Sequence, residues 1–123
     1  IHVYVSSRRE AAAWYHTHLG LSVAEAFEFW ADDPGGPLTL RDASDRIHLA
    51  LFRRTETKPV SLAFGANAQE YLAWRTHVRE RGLAVREADH RLCRSIYVED
   101  PWDNQWEITC YDMDALAAHP VLD

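Results

Sequence analysis

Four places in this chain put chemically capable side chains at matched positions. In Ile1-His2-Val3-Tyr4-Val5 apolar residues alternate with others, as they do in Ile47-His48-Leu49-Ala50-Leu51-Phe52. A strand sends successive side chains to opposite faces. Ile1, Val3, Val5, Ile47, Leu49 and Leu51 would then face a core, leaving His2, Tyr4, His48, Ala50 and Phe52 on the other side. The same parity across residues 60–64 and 106–111 leaves Ser61, Ala63, Glu107, Thr109 and Tyr111 there. His2 and Ser61 are 59 residues apart, and so are His48 and Glu107. Two imidazoles and a carboxylate suit a divalent first-row metal, with coordination positions left for water or substrate. The competing reading makes the histidines hydrogen-bonded lining residues and Glu107 a solvated carboxylate. Spacing alone leaves both open.

The elements that would hold these residues occur twice. Ser7-Arg8-Arg9-Glu10 and Asn67-Ala68-Gln69-Glu70 are both helix starts, each with a capping side chain and a Glu three residues on. Trp14 and Trp74 follow at one helical position, and Gly20 and Gly82 supply left-handed stops. Second strands are expected at 21–25 and 83–87, third strands at 38–41 and 95–99, and fourth strands at 47–52 and 106–111. Acidic turns, Asp42-Ala43-Ser44-Asp45 and Asp100-Pro101-Trp102-Asp103, precede the fourth strands. The order is β-α-β-β-β, twice. The expected fold is α+β, with two such motifs in tandem forming a curved mixed sheet around a pocket and helices outside. Motif one covers about 1–54 and motif two about 60–112, within a single domain of 1–123. The tail from Asp112 reads as a short helix ending near Pro120. Residues 31–37, Ala-Asp-Asp-Pro-Gly-Gly-Pro, read either as a flap beside a pocket or as a surface turn.

Composition narrows the class of function. With 123 residues the chain suits one domain, and its net charge of −6 disfavours nucleic-acid or membrane-surface binding built on bulk positive charge. No apolar run approaches a membrane span, and no segment resembles an export signal. Two cysteines cannot build a disulfide framework, and the cytoplasm is the expected location. Cys110 has helix-facing parity and neither cysteine has a clear histidine-and-base arrangement with it, so Cys93 and Cys110 read as packing residues rather than nucleophiles. Arg8, Arg9, Arg53 and Arg54 read as solvated dibasic pairs. His16 and His18 stand two apart and cannot share a helical face. Tyr4, Phe52 and Tyr111 would line an aromatic pocket or simply make a structural aromatic face.

The segments His2-Val3-Tyr4-Val5, residues 13–21 (Ala-Trp-Tyr-His-Thr-His-Leu-Gly-Leu) and residues 95–107 (Ser-Ile-Tyr-Val-Glu-Asp-Pro-Trp-Asp-Asn-Gln-Trp-Glu) carry a family resemblance. With the repeat, they resemble the vicinal oxygen chelate superfamily of glyoxalases, bleomycin resistance proteins and extradiol dioxygenases. The resemblance implies a divalent metal (Fe, Mn, Ni or Zn) held by His2, His48 and Glu107, and a small oxygen-bearing substrate among Tyr4, Phe52, Ser61, Tyr97, Thr109 and Tyr111. Ser61 departs from the histidine that metal-binding members often carry there, so three protein ligands plus water are expected. Asp103 replaces the usual turn glycine. The segment Ala88-Asp89-His90 ahead of Tyr97 is similar to one in small dioxygenase-like members. His90 and Tyr97 are therefore acid/base candidates, against the plainer reading of an exposed hairpin histidine and a lining aromatic. The implied activity is that of a lyase, isomerase or dioxygenase, the implied assembly a homodimer. The alternative is a metal-free module that sequesters an aromatic small molecule.

Overall fold

A computed structural model describes residues 1–122, in two compact units, Ile1–Pro59 and a second beginning at Val60. In the first, β1 (His2–Val5) leads into α1 (Arg8–Leu19), β2 (Ser22–Val23), a 3-10 helix (Glu25–Asp32), β3 (Leu38–Arg41) and β4 (His48–Arg53). In the second, β5 (Ser61–Gly65) leads into α2 (Ala68–Glu80), β6 (Val85–Asp89), β7 (Arg94–Glu99), β8 (Gln105–Cys110) and α3 (Met113–Leu116). The sheets have matching orders, β1-β4-β3-β2 and β5-β8-β7-β6. Each is mixed: the first strand runs parallel to the last, and the remaining pairs are antiparallel. The doubled β-α-β-β-β order expected from the sequence is present. No helix among the described residues is long and apolar enough to cross a membrane.

Strand parity divides the faces. In the first unit Val3, Val5, Leu40, Leu49 and Leu51 are buried with Ala11 and Tyr15 of α1. In the second, Ile96, Val98, Ile108 and Cys110 pack with Tyr71 and Val78 of α2 and Leu116 of α3. Burying an aliphatic side chain of this size stabilises by about 1.5–3 kcal/mol, which fixes register: a one-residue slip would expose the whole row.

Caps set the helix limits. Ser7 Oγ accepts from the Glu10 N–H at 3.2 Å, whereas Asn67 and Glu70 complete a reciprocal capping box. Gly20 takes φ 73°, which closes α1 at little steric cost.

Two strand assignments shift. The second strand of the first unit is only Ser22–Val23, because the Ala24 N–H bonds Thr39 O and the Phe27 N–H bonds Ala24 O, winding the chain into the 3-10 helix. In the second unit β6 begins at Val85, two residues later than expected. The irregular 31–37 stretch is pinned. The Arg8 guanidinium donates to the carbonyls of Ala31, Asp33 and Gly36, so Arg8 is a clamp rather than a solvated cation. At Gly36 an added Cβ would stand 2.0 Å from Trp30 O, and only glycine fits.

Aspartates shape both turns before the last strands. Asp42 Oδ1 accepts from the N–H groups of Arg46 and Ile47, each at 2.8 Å, and Oδ2 accepts from the Ser44 hydroxyl. Asp100 Oδ1 accepts from the N–H groups of Trp102 and Asn104, and its Oδ2 from the Asn104 amide. Asn104 in turn accepts from the Val60 N–H at 2.9 Å, joining this turn to the start of β5. Asp103 adopts φ 67° in the place of the expected glycine, a conformation short polar residues tolerate.

A buried cluster fastens the tail. Glu87 Oε1 accepts from Arg94 and Arg75, all three side chains being largely buried. Arg94 also donates to the carbonyls of Leu116 and His119, and Arg75 to that of Pro120. Replacing Arg94 with Met should cost about 3 kcal/mol in urea unfolding, because Glu87 then keeps only one cation in a dry site. Arg9→Met, at an exposed position, should stay within about 0.5 kcal/mol of the parent.

Hydrogen bonds, the Ser44 hydroxyl foremost, lower the Asp42 pKa from 3.8 to about 2. A depressed folded-state value stabilises fully above the unfolded pKa and is lost as pH falls through the folded one. Thermal melts of Asp42→Ala should therefore lie below the parent near neutral pH. The gap should close between pH 3.8 and about 2.

Candidate functional site

On the face of the first sheet turned away from α1, β1 and β4 lie side by side with His2 opposite Ala50 and Tyr4 opposite Phe52. His48, two residues before Ala50, shares that face. His2 packs on Phe52 with ring centroids 4.9 Å apart, and Phe52 lies 6.1 Å from Tyr4. The His48 ring stands edge-on to Phe27 at 5.5 Å, and its Nε2 meets Asp45 Oδ1 at 2.8 Å. That pair is exposed on both sides, so it is worth only about 0–1 kcal/mol and does not lock the ring. Phe27 stacks flat on Trp30 at 4.8 Å, and Phe29 and Trp30 are both exposed. This aromatic group beside His48 escapes strand parity because it sits on the 3-10 helix. Its sequence signal was the cluster Phe27, Phe29 and Trp30 directly ahead of the glycine-proline turn.

On the corresponding face of the second sheet, Glu107 stands opposite Ala63 on β5 and Tyr97 on β7. Its Oε1 accepts three hydroxyl hydrogen bonds: from Ser95 at 2.7 Å, Tyr97 at 3.0 Å and Thr109 at 3.2 Å. Oε2 receives none of the three. The Ser95 hydroxyl above all, aided by Tyr97 and Thr109, holds the carboxyl below its ordinary pKa against an opposing effect of burial. Glu107 is therefore an anion with one oxygen fixed and the other available. The Tyr97 phenol is pushed up, chiefly by burial and then by its bond to Glu107. His90 Nε2 lies 2.8 Å from the Tyr97 oxygen, and the Arg86 guanidinium covers the Tyr97 ring at 4.1 Å. Ser95 was the missing member of the group; its place on the Glu107 face follows from sharing the parity of Tyr97 on β7.

The residues singled out in the sequence thus fall into two sets. His2, His48, Tyr4 and Phe52 share a face of the first unit, and His90, Tyr97, Glu107 and Thr109 form one hydrogen-bonded group in the second. Ser61 is exposed at the start of β5. Tyr111 is 72% exposed and lies one residue beyond β8, where the Met113 N–H bonds its carbonyl and the chain turns into α3. Among the described residues, no three His, Cys, Asp or Glu side chains are gathered as a ready metal cluster. By donor type the proposed ligands still fit a divalent ion. His2 and His48 offer imidazole nitrogens, and Glu107 offers an ionised carboxylate with Oε2 left by its own hydrogen bonds.

A family model described as the glyoxalase/bleomycin resistance protein/dioxygenase superfamily matches residues 1–108. No curated protein matches the chain. Among solved structures, lactoylglutathione lyase from Agrobacterium tumefaciens is similar at 20% identity and TM-score 0.70, over 89% of this chain and 90% of that one. The fosfomycin resistance protein FosX from Listeria monocytogenes gives 12% identity and TM-score 0.69, over 94% and 93% of the two chains. Oxidase ChaP-H1 gives 21% identity and TM-score 0.64, over 89% and 91%. Those likenesses speak for the fold; the family model, spanning both repeats, places the chain in the glyoxalase/bleomycin resistance protein/dioxygenase superfamily.

Proposed function

We propose that this protein is a metal-dependent enzyme acting on a small oxygen-bearing organic molecule, with His2, His48 and Glu107 as metal ligands. The observation that carries this reading is the Glu107 carboxylate, kept ionised by three hydroxyls on one oxygen while the other takes none of them. Surrounding hydrogen bonds of this kind orient a ligand and tune its basicity. The similar lyase, resistance protein and oxidase carry names in keeping with small-molecule chemistry. A divalent ion, when bound, supplies Lewis acidity toward substrate oxygens, or oxygen chemistry if it is Fe(II).

The chain's own residues handle the proton. With the Tyr97 O–H directed at Glu107, the phenol oxygen accepts from His90 Nε2–H. His90 is exposed and Tyr97 half-buried, so this path runs from solvent to the carboxylate. His90 with Tyr97 takes the acid/base duty, which spares Glu107 from leaving its ligand role. Tyr4 and Phe52 present apolar rings to the substrate. The assembly we propose is a homodimer, each site built by one chain or shared by two.

A second reading, a metal-free binding module, is favoured by Ser61 at a position suited to a ligand and by the aromatic face of His2, Phe52 and Tyr4. Elemental analysis of protein purified without chelator separates the two. About one divalent ion per site is expected, lost in His2→Ala, His48→Ala and Glu107→Ala; metal-free protein that still binds aromatic ligands would select the second reading.

Tyr97→Phe removes one of the three hydroxyls on Glu107 and the link to His90. Metal affinity should fall about 10–100-fold with the melting temperature nearly unchanged. Unaltered affinity in a competition titration would count against Glu107 as a ligand. Mixing His48→Ala chains with Glu107→Ala chains should restore metal binding only if two copies share each site.

A further inference from the structure

The face of the first sheet turned away from α1 ends in two cations that have no carboxylate. Arg54 follows β4, its N–H held by Val5 O at 2.8 Å, and its guanidinium carbon lies 4.8 Å from the centre of the Tyr4 ring. Lys58 Nζ lies 5.2 Å from the same centre. Both are within cation–π reach, about 6 Å, so two exposed side chains lean on the ring that shares its face with His2 and His48. Among the described residues neither Arg54 nor Lys58 forms an ion pair, whereas His48 pairs with Asp45, and Arg75 and Arg94 pair with Glu87. Glu56 lies between them in sequence without pairing to either. In a chain of net charge −6, with nineteen acidic residues against thirteen basic, this local surplus runs against the bulk.

We infer that Arg54, Lys58 and Tyr4 form a subsite for an anionic oxygen group, carboxylate or phosphoryl, on a substrate whose flat apolar part lies against Tyr4 and Phe52. The chemistry favours such a ligand. A guanidinium and an ammonium offer several N–H donors, their charge-assisted bonds to carboxylate or phosphate are the strong ones, and the Tyr4 ring holds both near one place. The neighbouring rings, Phe52 at 6.1 Å from Tyr4 and His2 at 4.9 Å from Phe52, give a planar body something to pack on. The subsite deepens the proposed function by naming a substrate class, an aromatic or otherwise flat acid, and rests on that reading only for its link to catalysis.

The test uses three probes of one shape, 2-naphthoate, 2-naphthyl phosphate and neutral 2-naphthamide, titrated calorimetrically into the full chain. Metal is removed beforehand and its absence verified, so that no probe binds through an ion. Both anions should bind about five- to thirtyfold more tightly than the amide, the sum of two partly exposed charge pairs, and added salt should shrink the difference. Whichever anion binds tighter identifies the group as carboxylate or phosphoryl. The double variant Arg54→Gln, Lys58→Gln should erase the preference and leave naphthamide affinity unchanged. Equal affinity for the three probes, binding of none of them, or a preference that survives the double variant would overturn the subsite. The preference should persist in His2→Ala, His48→Ala protein. A chain that takes up no metal yet keeps the preference would refute the metal reading and retain the subsite, and a metal-binding chain without the preference would do the reverse.

Discussion

The first strand of each unit lies parallel to the last, and the placement of the functional side chains follows from that pairing. A parallel pair needs a long crossover between its strands, and here the helix and two further strands provide it. Once β1 is registered on β4, alternation leaves no freedom: Val3, Val5, Leu49 and Leu51 go under α1, and His2, Tyr4, His48 and Phe52 go to the other face. Pairing of β5 with β8 does the same for Glu107. The histidines and the carboxylate are held by the burial of their neighbours, so the energy that places them comes from aliphatic packing on the far side of each sheet.

The two units use the sheet faces turned away from their helices differently. The first offers rings and imidazoles, with cations at one end and an aromatic group on the 3-10 helix at the other. The second offers a carboxylate surrounded by hydroxyls and joined through a phenol to an exposed imidazole. One architecture, written twice, carries a row of rings in one copy and a hydrogen-bonded polar group in the other. Ser61 marks where the copies diverge most plainly, since its counterpart is His2.

Much of this was legible in the sequence, and what was not has a common cause. Capping residues, the two turns and the strand parity are local signals, and they located both helices, the third and fourth strands and the faces carrying His2, His48 and Glu107. The hydroxyls of Ser95 and Thr109 meet on Glu107 because β7 and β8 pair Ser95 with Thr109 and Tyr97 with Glu107, a register that no single segment states. Arg8 read as a surface cation because its three carbonyl partners lie 23 to 28 residues away. The buried trio of Glu87, Arg75 and Arg94 was missed for the same reason, as was the 3-10 helix, whose first bond depends on Thr39 across the chain. Long-range partners turn ordinary charged residues into structural ones, and composition carries no trace of them.

Arg8 and Arg94 share one habit: each grips main-chain carbonyls, Arg94 in addition to the Glu87 carboxylate. Every residue type has a carbonyl, so the segments they hold are free to drift in identity while their path is kept. The stretch from Ala31 to Gly36 can therefore exchange its outward side chains over generations with little penalty to the scaffold. Gly36 is the exception, excluded from substitution by its approach to Trp30. A fold that grips by the backbone can rewrite the outward side chains of a segment without unfastening it.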